Sequence, residues 1–302
     1  MFNATRHNIY SSASGFTLIE LVMVIVLIGI LAGVASIFIT RPIEAFIDTN
    51  RRAELVDIAE TALHRISRET RHALPNSVRL ASNGSRFAIE FLRTSAGGRY
   101  RAQSASAGIS DPLNFTVNTD SFDILGGLPA FNLVDTVGGT GRAACLSNTV
   151  DCIVIYNTGT SANDFNAYSG NNIAAITAIT NTSLTFSNTD VAGWRFPAAS
   201  PVRRFFVVDT PMSFVCDNST GELWLYQNYS ILPTQPVSTT GFVVAGAMLA
   251  NQISNCNANT FQYNDGAGQR YGLVVIRLTV TANDGSGEQI SLLQQVHVLN
   301  AP

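Results

Sequence analysis

Apolar residues follow three successive patterns along this chain, and each predicts a different kind of element. From Leu21 to Ile39 no charged residue interrupts the run. As a helix rising ~1.5 Å per residue it reaches about 28 Å, the thickness of a bilayer's hydrocarbon core. From Ile43 to Leu74 the spacing becomes that of an amphipathic helix: Leu55, Ile58, Ala59, Ala62, Leu63, Ile66 and Ala73 fall on one face. The other face carries Asp48 with Arg52 at i,i+4, then Asp57, Glu60, Arg65, Arg68 and Arg71, and reads as solvated. Pro42 at the junction should kink the helix, and Pro75 marks its end.

Beyond Pro75, clusters of Ser, Thr, Asn and Gly separate short β-prone runs. Phe87, Ile89 and Phe91 alternate within Arg86 to Leu92, and Leu113, Phe115 and Val117 alternate in the same way. Further strands are predicted at Cys152 to Tyr156, Ile173 to Ile179, Arg204 to Val208, Leu223 to Tyr226 and Phe242 to Leu249. Gly272 to Ala282 and Glu288 to Asn300 flank Asn283-Asp284-Gly285-Ser286-Gly287, a hairpin turn rich in residues that accept positive φ. In that hairpin Val274, Ile276, Leu278 and Val280 should face the core. The predicted class is α+β: one long N-terminal helix, half membrane and half amphipathic, packed on an antiparallel sheet domain with long loops. The divisions are a polar leader at 1–15, the apolar helix half at 16–40, the amphipathic half at 41–74 and a β-rich domain at 75–302.

Composition removes several function classes. A net charge of −3 with 13% charged residues lacks the basic excess of a nucleic-acid binder. Every basic side chain other than histidine is arginine, so Schiff-base chemistry and a Walker lysine are both excluded. Gly138-Gly139-Thr140-Gly141-Arg142 is accordingly a flexible turn and no phosphate loop. Neither Gly-x-Ser-x-Gly nor His-Glu-x-x-His occurs, which argues for no enzyme and no cofactor. Asp284 and Glu288 flank a glycine turn but lack the alternating oxygen ligands of a calcium loop. Trp194, Trp224, Tyr226 and Tyr229 could stack a sugar and equally suit a core and its rim.

Cys145, Cys152, Cys216 and Cys256 all follow the apolar run. On the oxidising side of a membrane they should form disulfides. Three connectivities exist, and Cys145 with Cys152 and Cys216 with Cys256 is favoured because each pair is nearer in sequence. Zinc is the alternative, but there is no Cys-x-x-Cys, and His64, His72 and His297 are the histidines left beyond the leader. No metal is expected.

Immediately before the apolar run stands Gly15-Phe16-Thr17-Leu18-Ile19-Glu20. This hexapeptide resembles the processing site of type IV pilins and type II secretion pseudopilins. The resemblance implies that a prepilin peptidase cuts after Gly15 and methylates the new terminal Phe16, and that Glu20 serves fibre assembly. The physical reading agrees, since a carboxylate at a membrane boundary is tolerable when a neighbouring subunit brings an ammonium group to it. A secretory signal peptide cut after Gly33-Val34-Ala35 would leave the rest of the run, through Ile37, Phe38 and Ile39, without a purpose. An ordinary single-pass anchor explains the run but not the hexapeptide. Arg6 in the leader should stay cytoplasmic and place the bulk of the chain outside. Gly29 and Gly33 form a Gly-x-x-x-Gly pair suited to close helix contact in lipid. A single helix from Phe16 to Leu74 would run about 88 Å, giving the lollipop shape that the resemblance implies.

The soluble part bears a second resemblance. Ile66-Ser67-Arg68-Glu69-Thr70-Arg71 leading to Leu74-Pro75-Asn76-Ser77-Val78-Arg79 is similar to minor subunits of the mannose-sensitive haemagglutinin pilus. So are Ser200-Pro201-Val202-Arg203-Arg204-Phe205, Val208-Asp209-Thr210-Pro211, Gly221-Glu222-Leu223-Trp224-Leu225-Tyr226 and the closing Val296 to Pro302. This resemblance implies a minor pilin that primes or caps a pilus used in surface attachment. Its partners would be major and other minor pilins, the prepilin peptidase and an inner-membrane assembly platform. It would sit in the inner membrane of a Gram-negative bacterium with a periplasmic domain, then in the pilus, at its tip. The alternatives are a J-type minor pseudopilin of type II secretion and a carbohydrate-binding adhesin displayed on the fibre.

Overall fold

The computed structural model describes residues 15–104, 110–117, 119–130, 132, 134, 136–266 and 271–302. The leader, with Arg6 and His7, lies outside the described residues apart from Gly15. Contacts divide the chain into two compact units, Met1–Ala53 and Glu54–Pro302, so the boundary falls within helix α1 (Leu18–Thr70).

In the first unit α1 is continuous, and it runs on through Pro42. The proline removes one backbone donor, the one that would meet the Phe38 carbonyl, and the helix continues on both sides of it; nearby, the Thr40 and Thr49 hydroxyls donate to the carbonyls of Ser36 and Ala45, at 2.9 and 2.8 Å. Asp48 pairs with Arg51 at 3.0 Å, three residues on.

The second unit begins with the amphipathic part of α1. Leu55, Ala59, Ala62, Leu63 and Ile66 are buried and Ile58 packs partly beside them, as the helical spacing predicts. The helix stops at Thr70, four residues short of the expected Leu74. The cause is competition from the sheet. Strand β1 spans Arg79–Asn83 and β2 spans Arg86–Tyr100. The Leu74 N–H bonds the Leu92 carbonyl at 2.7 Å and the Thr94 N–H bonds that of His72 at 2.8 Å, so residues 72–74 lie along β2. Glu69, one turn beyond Ile66 on the buried face, is itself buried and is bridged by Arg65 and Arg68, each at 3.2 Å.

The remaining strands are β3 (Ser121–Leu125), β4 (Cys152–Val154), β5 (Ile173–Ile179), β6 (Ser183–Ser187), β7 (Arg204–Asp217) and β8 (Glu222–Gln227). They are followed by β9 (Ala247–Ala250), β10 (Phe261–Asn264), β11 (Tyr271–Thr281) and β12 (Gln289–Leu299). All pairings are antiparallel. Two long strands organise the unit. Where β2 runs beside β7 over Arg86–Arg93, the two carry β1 and β8–β9 on their outer edges. Past register shifts at Arg93–Ala96 the pairings close into a ring, β2–β3–β6–β5–β4–β7 and back to β2. Each strand of the ring sends side chains inward: Tyr100, Phe122, Ile153, Ile176, Phe186 and Phe205 share one core. Closure removes the open edges that the four short strands β3–β6 would otherwise expose.

A second core joins the α1 face to Ile89, Phe91, Met212 and Phe214 of the open sheet and to Val274, Ile276, Leu278 and Val280 of the separate sheet β10–β11–β12. Those four β11 side chains are buried, in accord with the hairpin reading.

Two strand expectations and one turn need correction. Residues 113–117 form a loop, because the Asn114 side chain accepts from the Thr116 and Val117 N–H groups and takes them from any ladder. The run Phe242 to Leu249 breaks into a short helix, α3 (Thr239–Phe242), and then β9, because Val243 adopts φ 57°. The glycine cluster at 138–142 is no slack turn, since Gly141 opens helix α2 (Gly141–Leu146) and the Arg142 N–H donates to Asp190 Oδ1 at 2.7 Å.

Cys145 is bonded to Cys152 and Cys216 to Cys256. The first ties α2 to β4, and the second ties the end of β7 to the loop before β10. With a sequence separation of 40 against 7, loop-closure entropy assigns the second bond about 4 kcal/mol and the first about 2.5 kcal/mol. Thermal unfolding of Cys216→Ser/Cys256→Ser should therefore show a larger loss than that of Cys145→Ser/Cys152→Ser; equal losses would contradict this ranking.

Candidate functional site

Helix α1 opens on a cap that the sequence announces as Thr-x-x-Glu. The Glu20 N–H donates to Thr17 Oγ1 at 3.3 Å and the Leu21 N–H to the Thr17 carbonyl at 3.1 Å, so Thr17 is the N-cap. The three-residue spacing from Thr17 to Glu20 carries the capping-box signature in the sequence itself. The cap starts the helix two residues after Phe16 and fixes Glu20 in the first turn, where a carboxylate also complements the helix dipole.

From Phe16 to Ile47 the large apolar side chains stand exposed, Phe16 at 79% and Phe38 at 75%. The apolar window of α1 has a mean hydropathy of 3.0, long and apolar enough to cross a membrane. An exposed apolar surface of this extent has to be covered by lipid or by other helices. A Cβ added at Gly29 or Gly33 would meet nothing within 4 Å, which leaves both glycines open to a neighbouring helix. Among the described residues Glu20 has no ion-pair partner, so its charge is available to one from outside the chain.

The other residues singled out from sequence lie elsewhere. Tyr226 and Tyr229 are buried, and Phe242 stacks on the first ring at 4.0 Å between centroids and meets the second edge-on at 5.0 Å. The Trp224 indole N–H donates to Glu222 Oε2 at 3.1 Å. Trp194 stands apart from these three, against Phe196 at 4.8 Å. Asp284 Oδ1 accepts from the Ser286 N–H at 2.9 Å, which closes the hairpin turn. Among the described residues no group of three acidic, histidine or cysteine side chains is placed to hold a metal.

One buried polar cluster had no sequence signal. Glu90 is fully buried, with Arg79 Nε at 2.7 Å on one oxygen and the Tyr229 hydroxyl at 2.8 Å on the other. Arg79 also donates to the carbonyls of Leu232 and Pro233, and its guanidinium carbon lies 3.6 Å from the centre of the Tyr168 ring. Burial pushes the Glu90 carboxyl above its ordinary 4.5, against the pull of Arg79 and Tyr229. Every strong group in the cluster is satisfied from within, which makes it a tie between β1, β2 and the loop after β8 and not a reaction centre.

The sequence pattern of the prokaryotic N-terminal methylation motif matches residues 10–36. The chain thus carries a type IV pilin-like prepilin signal at its N-terminus, and the motif supports a pilin or pseudopilin role. The apolar helix and the motif together fit an inner-membrane-anchored protein of that kind. Neither a curated protein nor a solved structure matches the chain.

Proposed function

We propose that the chain is a minor pilin-like subunit of the MshO kind, which primes or caps a type IV pilus of the mannose-sensitive haemagglutinin type. The observation that carries this reading is the capped, exposed apolar helix placed directly behind Gly15 and Phe16, with Glu20 in its first turn. Prepilin peptidase cleaves after Gly15 and methylates Phe16. Glu20 then receives the terminal ammonium of a neighbouring subunit, inside a bundle packed on the Gly29 and Gly33 face. The soluble domain docks on other minor and major pilins, first in the inner membrane beside the assembly platform and then at the pilus tip. A ringed β-domain added to an open sheet suits a subunit used in few copies at an end of the fibre, and the patches around Ile66–Arg79 and Ser200–Pro211 support the MshO assignment.

Deleting the gene tests the assignment when surface pili are counted by electron microscopy and secreted enzymes are assayed in the same culture. Lost pili with intact secretion are expected. Intact pili with failed secretion would move the chain to the J-type pseudopilins.

A further inference from the structure

A cleft of about 420 Å³ opens beside the ring on the strands β5 and β6. Its size lies at the lower end of the range for small-molecule sites. Three features show how it is built. First, the β5–β6 register slips between Ile176 and Ala178, so Thr177 is an extra residue in β5, and it lines the cleft together with Thr185 and Ser187. Such bulges re-aim a side chain out of the regular alternation. Second, the loop after β6 folds over the strands: the Val191 and Trp194 N–H groups bond the carbonyls of Asn188 and Val191, and Trp194 becomes a wall. The edge-on contact with Phe196, which belongs to the ring core, holds that indole in place. Third, the loop is tethered to α2, since the Arg142 N–H donates to Asn188 Oδ1 at 3.1 Å as well as to Asp190.

The lining is an aromatic wall facing hydroxyls, one amide and one carboxylate, that of Asp120, and it includes no basic side chain. The Asn188 side-chain NH2 is buried and has no hydrogen-bond partner among the described residues. Two basic groups beside the cleft are directed elsewhere: Arg142 lies 3.8 Å from Asp190, and Arg195 donates to the Thr116 carbonyl at 3.4 Å. An anion would meet the Asp120 carboxylate with no compensating cation. A flat apolar ligand would leave the hydroxyls unsatisfied. A pyranose ring meets both demands, because its polarised C–H face packs on an indole and its hydroxyls exchange hydrogen bonds with Thr, Ser and Asp side chains.

We propose that this cleft binds an uncharged sugar, a neutral hexose or N-acetylhexosamine unit of a glycan, with Trp194 as the stacking platform and Asp120 as a hydroxyl acceptor. The proposal rests on the cleft and not on the pilus assignment, and it places the sugar stacking at Trp194 and not at Trp224, whose ring packs against the buried cluster of Tyr226, Tyr229 and Phe242.

The chain has two tryptophans, so a full-length Trp224→Phe variant in detergent carries Trp194 as its single tryptophan, excited selectively at the red edge of the absorption band. Titration with glucose, galactose, mannose and their N-acetylamino forms should give a saturable change in Trp194 emission for at least one sugar, with half-saturation at about 1 mM or below. On an array of immobilised glycans the unmodified chain should be retained by neutral glycans and not by purely sialylated or sulfated ones. Trp194→Ala should lower that retention at least about tenfold. Asp120→Asn, at an exposed position, should lower it without unfolding the domain, which guards against misreading a Trp194 variant that fails to fold. Unchanged emission with all these sugars, retention by acidic glycans alone, or full retention by both variants would overturn the proposal.

Discussion

Replacing Glu20 by Gln should leave cleavage after Gly15 intact and nearly abolish incorporation of the subunit into fibres. The side chain keeps its length, so recognition by a peptidase acting four residues away has little reason to change. What disappears is the charge. In an apolar bundle the terminal ammonium of the adjacent subunit would be left buried and unpaired, which costs about 3–5 kcal/mol, or roughly a hundredfold or more in the insertion equilibrium. Immunoblots separating precursor from mature protein, set beside sheared pili, read the two steps independently. Mature protein confined to the membrane is the expected result, and normal amounts in the sheared fraction would contradict the role given to Glu20.

Arg79→Met should be the most damaging single change within the soluble domain, at about 3–5 kcal/mol of stability near neutral pH. It leaves Glu90 fully buried with the Tyr229 hydroxyl as its remaining partner, and it strands the carbonyls of Leu232 and Pro233. The loss should depend on pH in a defined direction. Burial already raises the Glu90 carboxyl above 4.5, and removing the arginine takes away the group that opposes this rise. A carboxyl raised in the folded state favours folding when protonated. The deficit relative to the unaltered protein is therefore fully developed above the raised folded value and shrinks as pH falls toward 4.5. Denaturant unfolding of both proteins between pH 7 and 4.5 measures it, and a gap that stays constant would show that Glu90 is not the source. The pair Arg79→Met with Glu90→Gln should recover part of the loss.

The elements that could be read from sequence are those whose signal is local. The buried face of α1 follows from the spacing of Leu55, Ala59, Ala62 and Ile66, and the last hairpin from an uninterrupted alternation on each side of a glycine-rich turn. Strands β1, β3, β6 and β10 escaped notice because they are only four or five residues long and include Ser, Asn, Asp and Gln among their few positions. The alternation at Leu113, Phe115 and Val117 misled for the opposite reason, since a single side chain, Asn114, satisfies the backbone that a strand would need. Closure of the ring depends on β2 and β7 each changing neighbours partway along, a choice made by distant partners and not by their own residues.

The same division holds for function. Gly15, Phe16 and Glu20 fall within one hexapeptide and are therefore legible as a motif. Glu90 lies on the β2 face opposite Ile89 and Phe91, between Ala88 and Leu92, and it is buried because Tyr168 and Tyr229 arrive from elsewhere in the chain. The cleft draws Asp120, Thr177, Thr185 and Trp194 from separate segments, and it depends on a bulge that no spacing reveals.

The central claim is that this chain is processed as a prepilin. Because it contains no lysine, its N-terminal nitrogen is its one aliphatic amine, primary before methylation and secondary after it, so amine-selective labelling and mass spectrometry of that end read the methylation directly. The protein purified from cells that possess a prepilin peptidase should begin at Phe16 with a single methyl group on the nitrogen, and the unprocessed form should accumulate when the peptidase is absent. A mature terminus at Ser36, or a chain still beginning at Met1 in the presence of the peptidase, would contradict it.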